Sequence, residues 1–239
     1  CNVYGHEAAI AEYAFMAILA LNRDLLNMDA RFRRGDWSDR TEVPARPEIA
    51  GRTLGVVGLG RIGSAVARVG RAFGMRVVAA TRTPDPARAA ELGLASVAGM
   101  DDLHRVLAEA DFVVLAIPLD ATTAGLVGAA ELAAMRPSAF LVNVARGEVV
   151  DEAALYAALR DRTIAGAAID VWYRYPVERE ACPPSAFPFH ELPNVVLTPH
   201  IAGWTAGTFR HRWETIDDNL RRLAAGAPLV NVVWPAPAG

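Results

Sequence analysis

One short segment constrains this chain more than any other. Residues 53–63 are Thr-Leu-Gly-Val-Val-Gly-Leu-Gly-Arg-Ile-Gly, so an apolar run leads directly into three glycines with G-x-G-x-x-G spacing. Gly58 allows a tight turn, Gly60 lets the backbone approach a pyrophosphate, and Gly63 lets the following helix pack closely on the strand. The N–H groups and positive dipole end of that helix can then bind phosphate. The segment predicts a dinucleotide site, with a purely structural glycine turn as the alternative.

The composition is that of an ordinary globular protein, with 53% hydrophobic and 21% charged residues among 239. The formal net charge is −3 without a block of like charge, so no nucleic-acid surface is expected. Cys1 and Cys182 form neither a disulfide framework nor a metal-ligand pattern, which predicts no metal site and fits a cytoplasmic location. The apolar stretch at residues 8–21 contains Glu12 and is too short to span a bilayer, so no membrane association is expected.

Short β-rich runs alternate with helical stretches after a polar connector at residues 31–48. Several runs are apolar almost throughout, which is typical of a parallel sheet covered on both faces. The pattern predicts an α/β fold with a Rossmann-like, doubly wound parallel sheet. The predicted strands are residues 53–57, 76–80, 112–117, 140–144, 165–171 and 195–198, and the predicted helices are 62–73, 86–92, 101–108, 129–135, 152–160 and 208–225.

The end of the second strand bears on which dinucleotide is bound. In a Rossmann unit, an acidic residue at this point binds the ribose 2′-hydroxyl of NAD. Here the strand is followed by Thr81 and Arg82, without a carboxylate. A guanidinium can stack on adenine and pair with a 2′-phosphate, which a carboxylate would repel. We therefore expect a preference for NADP(H), with NAD(H) as the alternative if Arg82 is only a solvated loop charge.

Three further segments follow predicted strands, where an open α/β sheet binds its ligands. They are N-V-A-R-G at 143–147, D-V-W at 170–172 and T-P-H-I-A-G at 198–203. An enzyme that transfers hydride to a carbonyl needs a cation to polarise the substrate and an acid/base to move a proton. Arg146 and His200 are suitable in kind. A lone Arg or His at a strand end is more often structural, but the glycine loop upstream favours the catalytic interpretation.

Taken in order, these motifs resemble the D-isomer-specific 2-hydroxyacid dehydrogenase family. The resemblance rests on the glycine loop, on Pro118 with Thr123, and on the three segments above, and it extends from about Asn2 to the final helix. It implies two Rossmann-like domains with a site in the cleft between them, a homodimer, and hydride transfer between NAD(P) and a 2-hydroxy or 2-oxo acid. The alternative is a non-catalytic dinucleotide sensor, like the corepressors that resemble this family.

The resemblance also implies roles for particular residues. Arg146 would bind the carboxylate and carbonyl of the substrate, and His200 would be the general acid/base. Asp170 would contact the nicotinamide amide. The residues expected at the cofactor are Gly58, Gly60, Arg61, Ile62, Gly63, Thr81, Arg82, Ile117, Pro118, Thr123, Val144, Ala145, Arg146, Asp170, His200 and Gly203.

The sequence departs from the family pattern at Tyr175, where the family usually has a Glu that pairs with the catalytic His. A carboxylate there stabilises an imidazolium, whereas a tyrosine hydroxyl orients the ring with much less charge. Tyr175 is therefore placed in the catalytic set, with Glu178 or Glu180 as other sources of charge. His6 aligns with an Asn of formate dehydrogenases from the same superfamily, so a formate pocket is not expected.

The resemblance divides the chain into three parts. Residues 1–48 would hold a linker helix and a remnant of the substrate domain, 49–200 the NAD(P)-binding domain, and 201–239 a final helix and tail that return to the substrate domain. A family member has more chain at its front, including the loop that binds the substrate carboxylate. We therefore expect a truncated chain that binds dinucleotide but reduces glyoxylate or hydroxypyruvate poorly. The helix at 8–21 and the region 204–213 would suit a dimer interface.

Overall fold

The computed structural model describes residues 4–37, 45–178 and 180–233. Within these ranges the chain forms seven strands: β1 (Thr53–Val57), β2 (Arg76–Ala80), β3 (Ser96–Ala98), β4 (Phe112–Leu115), β5 (Phe140–Asn143), β6 (Gly166–Ile169) and β7 (Val195–Leu197). All pair in parallel in the order β3-β2-β1-β4-β5-β6-β7. The order reverses between β1 and β4, so the sheet is doubly wound, as predicted.

The same ranges contain eight α-helices. They are α1 (Glu7–Arg23), α2 (Leu25–Arg33), α3 (Arg61–Ala72), α4 (Pro86–Glu91), α5 (Leu103–Glu109), α6 (Ala129–Ala134), α7 (Glu152–Arg160) and α8 (Ala206–Ala224). None of these helices is long and apolar enough to cross a membrane. The described side chains also include no group of three or more His, Cys, Asp or Glu arranged to hold a metal ion.

The central strands are almost entirely apolar because both faces of the sheet are covered. Successive side chains of a strand point to opposite faces, so Val56 and Val57 enter two different cores. Helices α1 and α3 pack on the Val56 side, and α5, α6 and α7 pack on the Val57 side. This packing brings the carboxyl ends of all seven strands to one edge of the sheet, where the loops carry the predicted site residues.

Helix α1 packs inside the chain, contrary to the expectation that its apolar face suits a dimer interface. Ala14, Ala17 and Ile18 are fully buried, and α1 contacts α3 and the strands β5, β6 and β7. Its apolar face is therefore not available to a partner. In the other expected interface region, Trp204 and Trp213 do remain exposed.

Two elements were not predicted. Helix α2 extends into the start of the segment predicted as a polar connector. It has no fully buried residue, so its sequence lacks the regular spacing of apolar residues that predicts a helix. Strand β3 has only three residues and lies at the edge of the sheet. Residues 38–44 of the connector, residues 1–3 and 179, and the tail from 234 to 239 lie outside the described residues.

Candidate active site

The glycine loop has the geometry of a phosphate-binding turn. Gly58 follows β1 with φ of +94°, a left-handed conformation that glycine adopts readily. A Cβ on Gly58 would lie 2.6 Å from the Ala116 carbonyl oxygen, and one on Gly63 would overlap the Gly58 carbonyl oxygen. The two glycines therefore allow β1, β4 and α3 to approach one another closely.

Gly60 differs from its two neighbours in the motif. A Cβ at Gly60 would meet no described atom within 4 Å, so packing within the chain does not demand glycine here. The residue lies immediately before α3, whose first N–H groups have no partner within the helix and point to this space. An open cradle beside a helix N-terminus fits the pyrophosphate of a dinucleotide. The residues present are thus compatible with NAD(P).

The loop after β2 carries the residues expected to distinguish NAD from NADP. Arg82 is largely exposed, and its Nη2 atom lies 3.2 Å from Asp120 Oδ2 in the loop after β4. The other oxygen of Asp120 accepts hydrogen bonds from the backbone N–H and the hydroxyl of Thr122. The Thr122 hydroxyl, the main cause, and Arg82 lower the pKa of Asp120. An ion pair therefore joins the loops that follow β2 and β4, the two strands on either side of β1.

The loop after β4 contains the predicted residues Ile117, Pro118 and Thr123. Ile117 contacts the glycine turn, because its side chain fills the space beside Gly58. The Thr123 hydroxyl donates to the Pro118 carbonyl at 2.7 Å and accepts from the Asp120 N–H at 2.8 Å. Thr123 therefore shapes this loop, and its hydroxyl is already used within it.

Asn143 holds the loop that carries Arg146. The Asn143 side chain accepts from the Ala145 N–H at 3.0 Å and donates to the Arg146 carbonyl at 2.9 Å. Gly147 lets this loop approach the next one closely, since a Cβ there would lie 2.5 Å from the Trp172 carbonyl. Arg146 itself is exposed, and its Nη1 atom donates to the Ala145 carbonyl at 2.6 Å, which leaves the other guanidinium N–H groups for a substrate. Val144 and Ala145 are buried.

Asp170 anchors the segment that carries His200. Its carboxylate is 1% exposed and accepts from the Thr198 hydroxyl at 2.6 Å. It also accepts from the N–H groups of Ile201 and Ala202, at 2.8 Å each. Its contact with the nicotinamide amide, which the family resemblance implies, stays a prediction. In this structure Asp170 binds the two residues that follow His200.

Tyr175 bonds to His200. The tyrosine Oη lies 3.0 Å from His200 Nδ1 and accepts from the Trp172 N–H at 3.1 Å. Among the described residues, Tyr175 is therefore the hydrogen-bond partner of the imidazole, in place of Glu178 or Glu180. Because Nδ1 is engaged, Nε2 is the nitrogen left to face a substrate. His200 has φ of +58°, an uncommon conformation for a residue with a side chain.

The remaining predicted residues line the same edge of the sheet. Arg61 stacks on the Tyr4 ring at 3.7 Å and lies 3.9 Å from Glu7. Gly203 lies beside His6, whose Nδ1 is buried without a hydrogen-bond partner among the described residues. Ile62 lies in the first turn of α3, and the Thr81 N–H donates to the Ala98 carbonyl in the edge strand β3.

Three residues that organise the site were not predicted as site residues: Asn143, Thr198 and Tyr13. Asn143 ends β5 and Thr198 directly follows β7, and both lie within the sequence motifs. These positions are the signal that could have identified them. Tyr13 gives no such signal, because it lies on α1, 185 positions from its partner Thr198.

Burial of Tyr13 predicts a pH dependence of stability. Burial, the main cause, raises the pKa of this tyrosine from 10.0 to about 12, against the lowering effect of its bond to Thr198. The folded chain therefore keeps the proton that the unfolded chain loses between these values. This stability is fully present below pH 10, and about 2–3 kcal/mol is lost as pH rises to about 12. Urea unfolding across this range should show the loss.

The control for this pH dependence is Tyr13→Phe, which removes the titrating group and keeps the ring. Its free energy of unfolding should fall less steeply above pH 10 than that of the parent chain. Burial also raises the pKa of Tyr173, so some slope should remain in the variant. Equal slopes for the two proteins would show that Tyr13 is not the group responsible.

Fold and site together define a dinucleotide-binding domain of the Rossmann type, with a cation after β5 and an imidazole after β7 at the same edge of the sheet. Residues 15–202 match the family model described as D-isomer specific 2-hydroxyacid dehydrogenase, NAD binding domain. The chain belongs to this family.

Individual relatives agree with this assignment. A glyoxylate reductase of Thermococcus gammatolerans is 39% identical over 218 residues, which are 89% of this chain and 62% of that protein. A D-lactate dehydrogenase of Lactobacillus jensenii with NAD⁺ superposes with a TM-score of 0.81 at 32% identity, covering 96% of this chain and 69% of that one. A family member of Xanthobacter autotrophicus Py2 with NADPH has a TM-score of 0.78 at 33% identity, covering 96% and 88%.

Proposed function

We propose that this chain binds NADP(H) or NAD(H) along the carboxyl edge of its sheet and takes part in reducing a 2-oxo acid to a 2-hydroxy acid. The observation that carries the proposal is that Arg146 and the Tyr175–His200 pair lie at the same carboxyl edge of the sheet as the glycine loop. Strand β6 lies between β5 and β7, so the loops that carry Arg146 and His200 are about 10 Å apart, a gap that the two long side chains can close around a small substrate. The chain spans 62% of the length of the Thermococcus reductase, so activity, substrate and partners belong to this proposal.

Each residue has a defined task in this chemistry. When bound, the nicotinamide supplies a hydride to the carbonyl carbon. Arg146 binds the substrate carboxylate by charge-assisted hydrogen bonds and polarises the carbonyl. His200 donates a proton from Nε2 to the carbonyl oxygen. Tyr175 holds Nδ1 and so fixes the direction of Nε2, while Asp170 binds the backbone beside the imidazole and is proposed to meet the nicotinamide amide.

The first substrate to test is glyoxylate, because relatives from Thermococcus carry the name glyoxylate reductase. Oxidation of NADPH by the full-length gene product should be measured across a panel of 2-oxo acids. Turnover with a member of the panel supports the proposal. Dinucleotide binding without turnover would instead support a non-catalytic sensor, which the names of the relatives do not favour.

We also propose that NADP(H) is preferred through Arg82. Replacing Arg82 with alanine should weaken NADPH binding about tenfold or more and weaken NADH binding much less, because only NADPH loses a charged hydrogen bond to the 2′-phosphate. Titration calorimetry with both nucleotides measures the effect. Arg105→Ala, which removes an ion pair with Glu109 on α5, is the matched control. Equal or tighter binding of NADH by the parent chain would contradict the preference.

Assembly, location and domain division extend the proposal. A cytoplasmic location is part of the proposal, and so is a homodimer. The homodimer is supported by exposed apolar side chains on and after α2, where Leu25, Leu26, Phe32 and Trp37 are 52–82% exposed. Light scattering of the purified protein tests the dimer, and a monomer at micromolar concentration would contradict it. Residues 1–48, 49–200 and 201–239 are proposed as the linker and substrate-domain remnant, the cofactor domain, and the returning segment.

A further inference from the structure

A chain of hydrogen bonds links α1 to the segment that holds His200. Tyr13 Oη lies 2.6 Å from Thr198 Oγ1, and Thr198 Oγ1 lies 2.6 Å from Asp170 Oδ1. A carboxylate only accepts hydrogen bonds, so the single hydroxyl hydrogen of Thr198 is given to Asp170. Tyr13 must therefore donate to Thr198. Every hydrogen in this chain is directed from α1 towards Asp170.

The chain of hydrogen bonds continues into the backbone on the far side of Asp170. Oδ1 and Oδ2 accept from the N–H groups of Ile201 and Ala202, and the Thr198 carbonyl accepts from the His200 N–H at 3.0 Å. His200 thus lies between Thr198 and Ile201, both of which are hydrogen-bonded to Asp170, and it has a left-handed φ of +58°. Residues in such conformations persist only where surrounding contacts determine them.

We propose that Tyr13 and Thr198 are positioning residues for His200, acting through Asp170. This inference rests on the proposed function of His200 as the acid/base. The Tyr13 hydroxyl orients the Thr198 hydroxyl, which in turn fixes the Asp170 carboxylate against the two N–H groups. The same contact makes α1 part of the site, although none of its residues touches the imidazole of His200 through a hydrogen bond in the described structure.

A merely structural role for these hydroxyls makes a different prediction. A network that only holds α1 on the sheet would lower global stability when broken and leave kcat of the folded enzyme unchanged. A positioning network lowers kcat, leaves the KM for the dinucleotide unchanged, and loosens the backbone beside His200. The kcat is then restored by a substituted side chain that again carries a hydroxyl.

The test uses three variants: Tyr13→Phe, Thr198→Val and Thr198→Ser. Phenylalanine keeps the buried ring and removes one donor, and serine keeps the hydroxyl that valine lacks. The first two should lower kcat for glyoxylate about tenfold in the full-length gene product, with the KM for NADPH within about twofold, and serine should restore kcat. Tyr156→Phe is the matched control, since Tyr156 packs on Phe187 and Phe189 away from this network.

A second readout does not need turnover. Hydrogen exchange by NMR should show the amides of Ile201 and Ala202 exchanging about tenfold faster in Tyr13→Phe and Thr198→Val, while the amide of Val56 in β1 is unchanged. Exchange and kcat that match the parent protein would overturn the proposal. Faster exchange throughout the sheet would overturn it as well, in favour of a structural role. Absence of turnover in the parent protein would contradict the proposed function, and amide exchange would still decide the positioning.

Discussion

Replacing His200 with glutamine should lower the turnover of 2-oxo acids by about 10²–10⁴-fold and leave dinucleotide binding unchanged. Glutamine keeps a polar side chain that can approach Tyr175, but it cannot donate a proton as an imidazolium does. The loss should therefore fall on kcat, measured by steady-state kinetics of the full-length gene product, while the Kd for NADPH measured by calorimetry stays the same.

The control for His200→Gln is His190→Gln. His190 is exposed on a short turn, 3.9 Å from Glu191, and has no part in the proposed site. It should keep the activity of the parent protein. If turnover survives in His200→Gln, another group moves the proton and the assignment of the acid/base is wrong.

Gly63→Ala should lower the stability of the fold, whereas Gly60→Ala should lower the affinity for the dinucleotide. Gly63→Ala places a methyl group on the Gly58 carbonyl oxygen and should cost about 3 kcal/mol of unfolding free energy. Gly60→Ala meets open space within the chain, so its stability should change by no more than about 0.5 kcal/mol. The same methyl group occupies the proposed pyrophosphate cradle, and dinucleotide affinity should fall about 100-fold.

Urea unfolding and calorimetry on the same two variants separate these effects. Gly60→Ala is expected to keep the stability of the parent chain and to bind the dinucleotide weakly. A variant that had simply lost its fold would not combine these two results. Gly60→Ala that binds NADPH as well as the parent chain would place the pyrophosphate elsewhere. Gly63→Ala with unchanged stability would contradict the close approach of α3 to β1.

The sequence predicted the sheet well where physical signals were strong. The bounds of β1, β2 and α7 agree with the prediction, because each apolar run ends at a glycine, a charged residue or a helix cap. Other predicted strands were too long at their carboxyl ends, since apolar residues such as Ile117 and Val144 continue into the loops of the site. Helix α2 was missed because it buries no side chain fully, and edge strand β3 was missed because it is three residues long.

The site was predictable in its residue types and less so in its contacts. The order of motifs predicts Arg146, His200 and Tyr175 as candidate site residues, and the structure joins Tyr175 to His200 by a hydrogen bond. The sequence pattern predicts that Arg82 binds a 2′-phosphate. It does not predict the ion pair between Arg82 and Asp120, because Asp120 lies in another loop. The Tyr13 contact with Thr198 joins residues far apart in the chain, and only the folded sheet brings them together.

The most direct test of the central claim follows the hydride itself. The full-length gene product is incubated with NADPH that carries deuterium at the transferred position of nicotinamide C4, together with glyoxylate or hydroxypyruvate. We expect one deuterium at C2 of the 2-hydroxy acid product, detected by mass spectrometry, and we expect this label to be lost in His200→Gln. Bound NADPH that delivers no deuterium to any 2-oxo acid of the panel would contradict it.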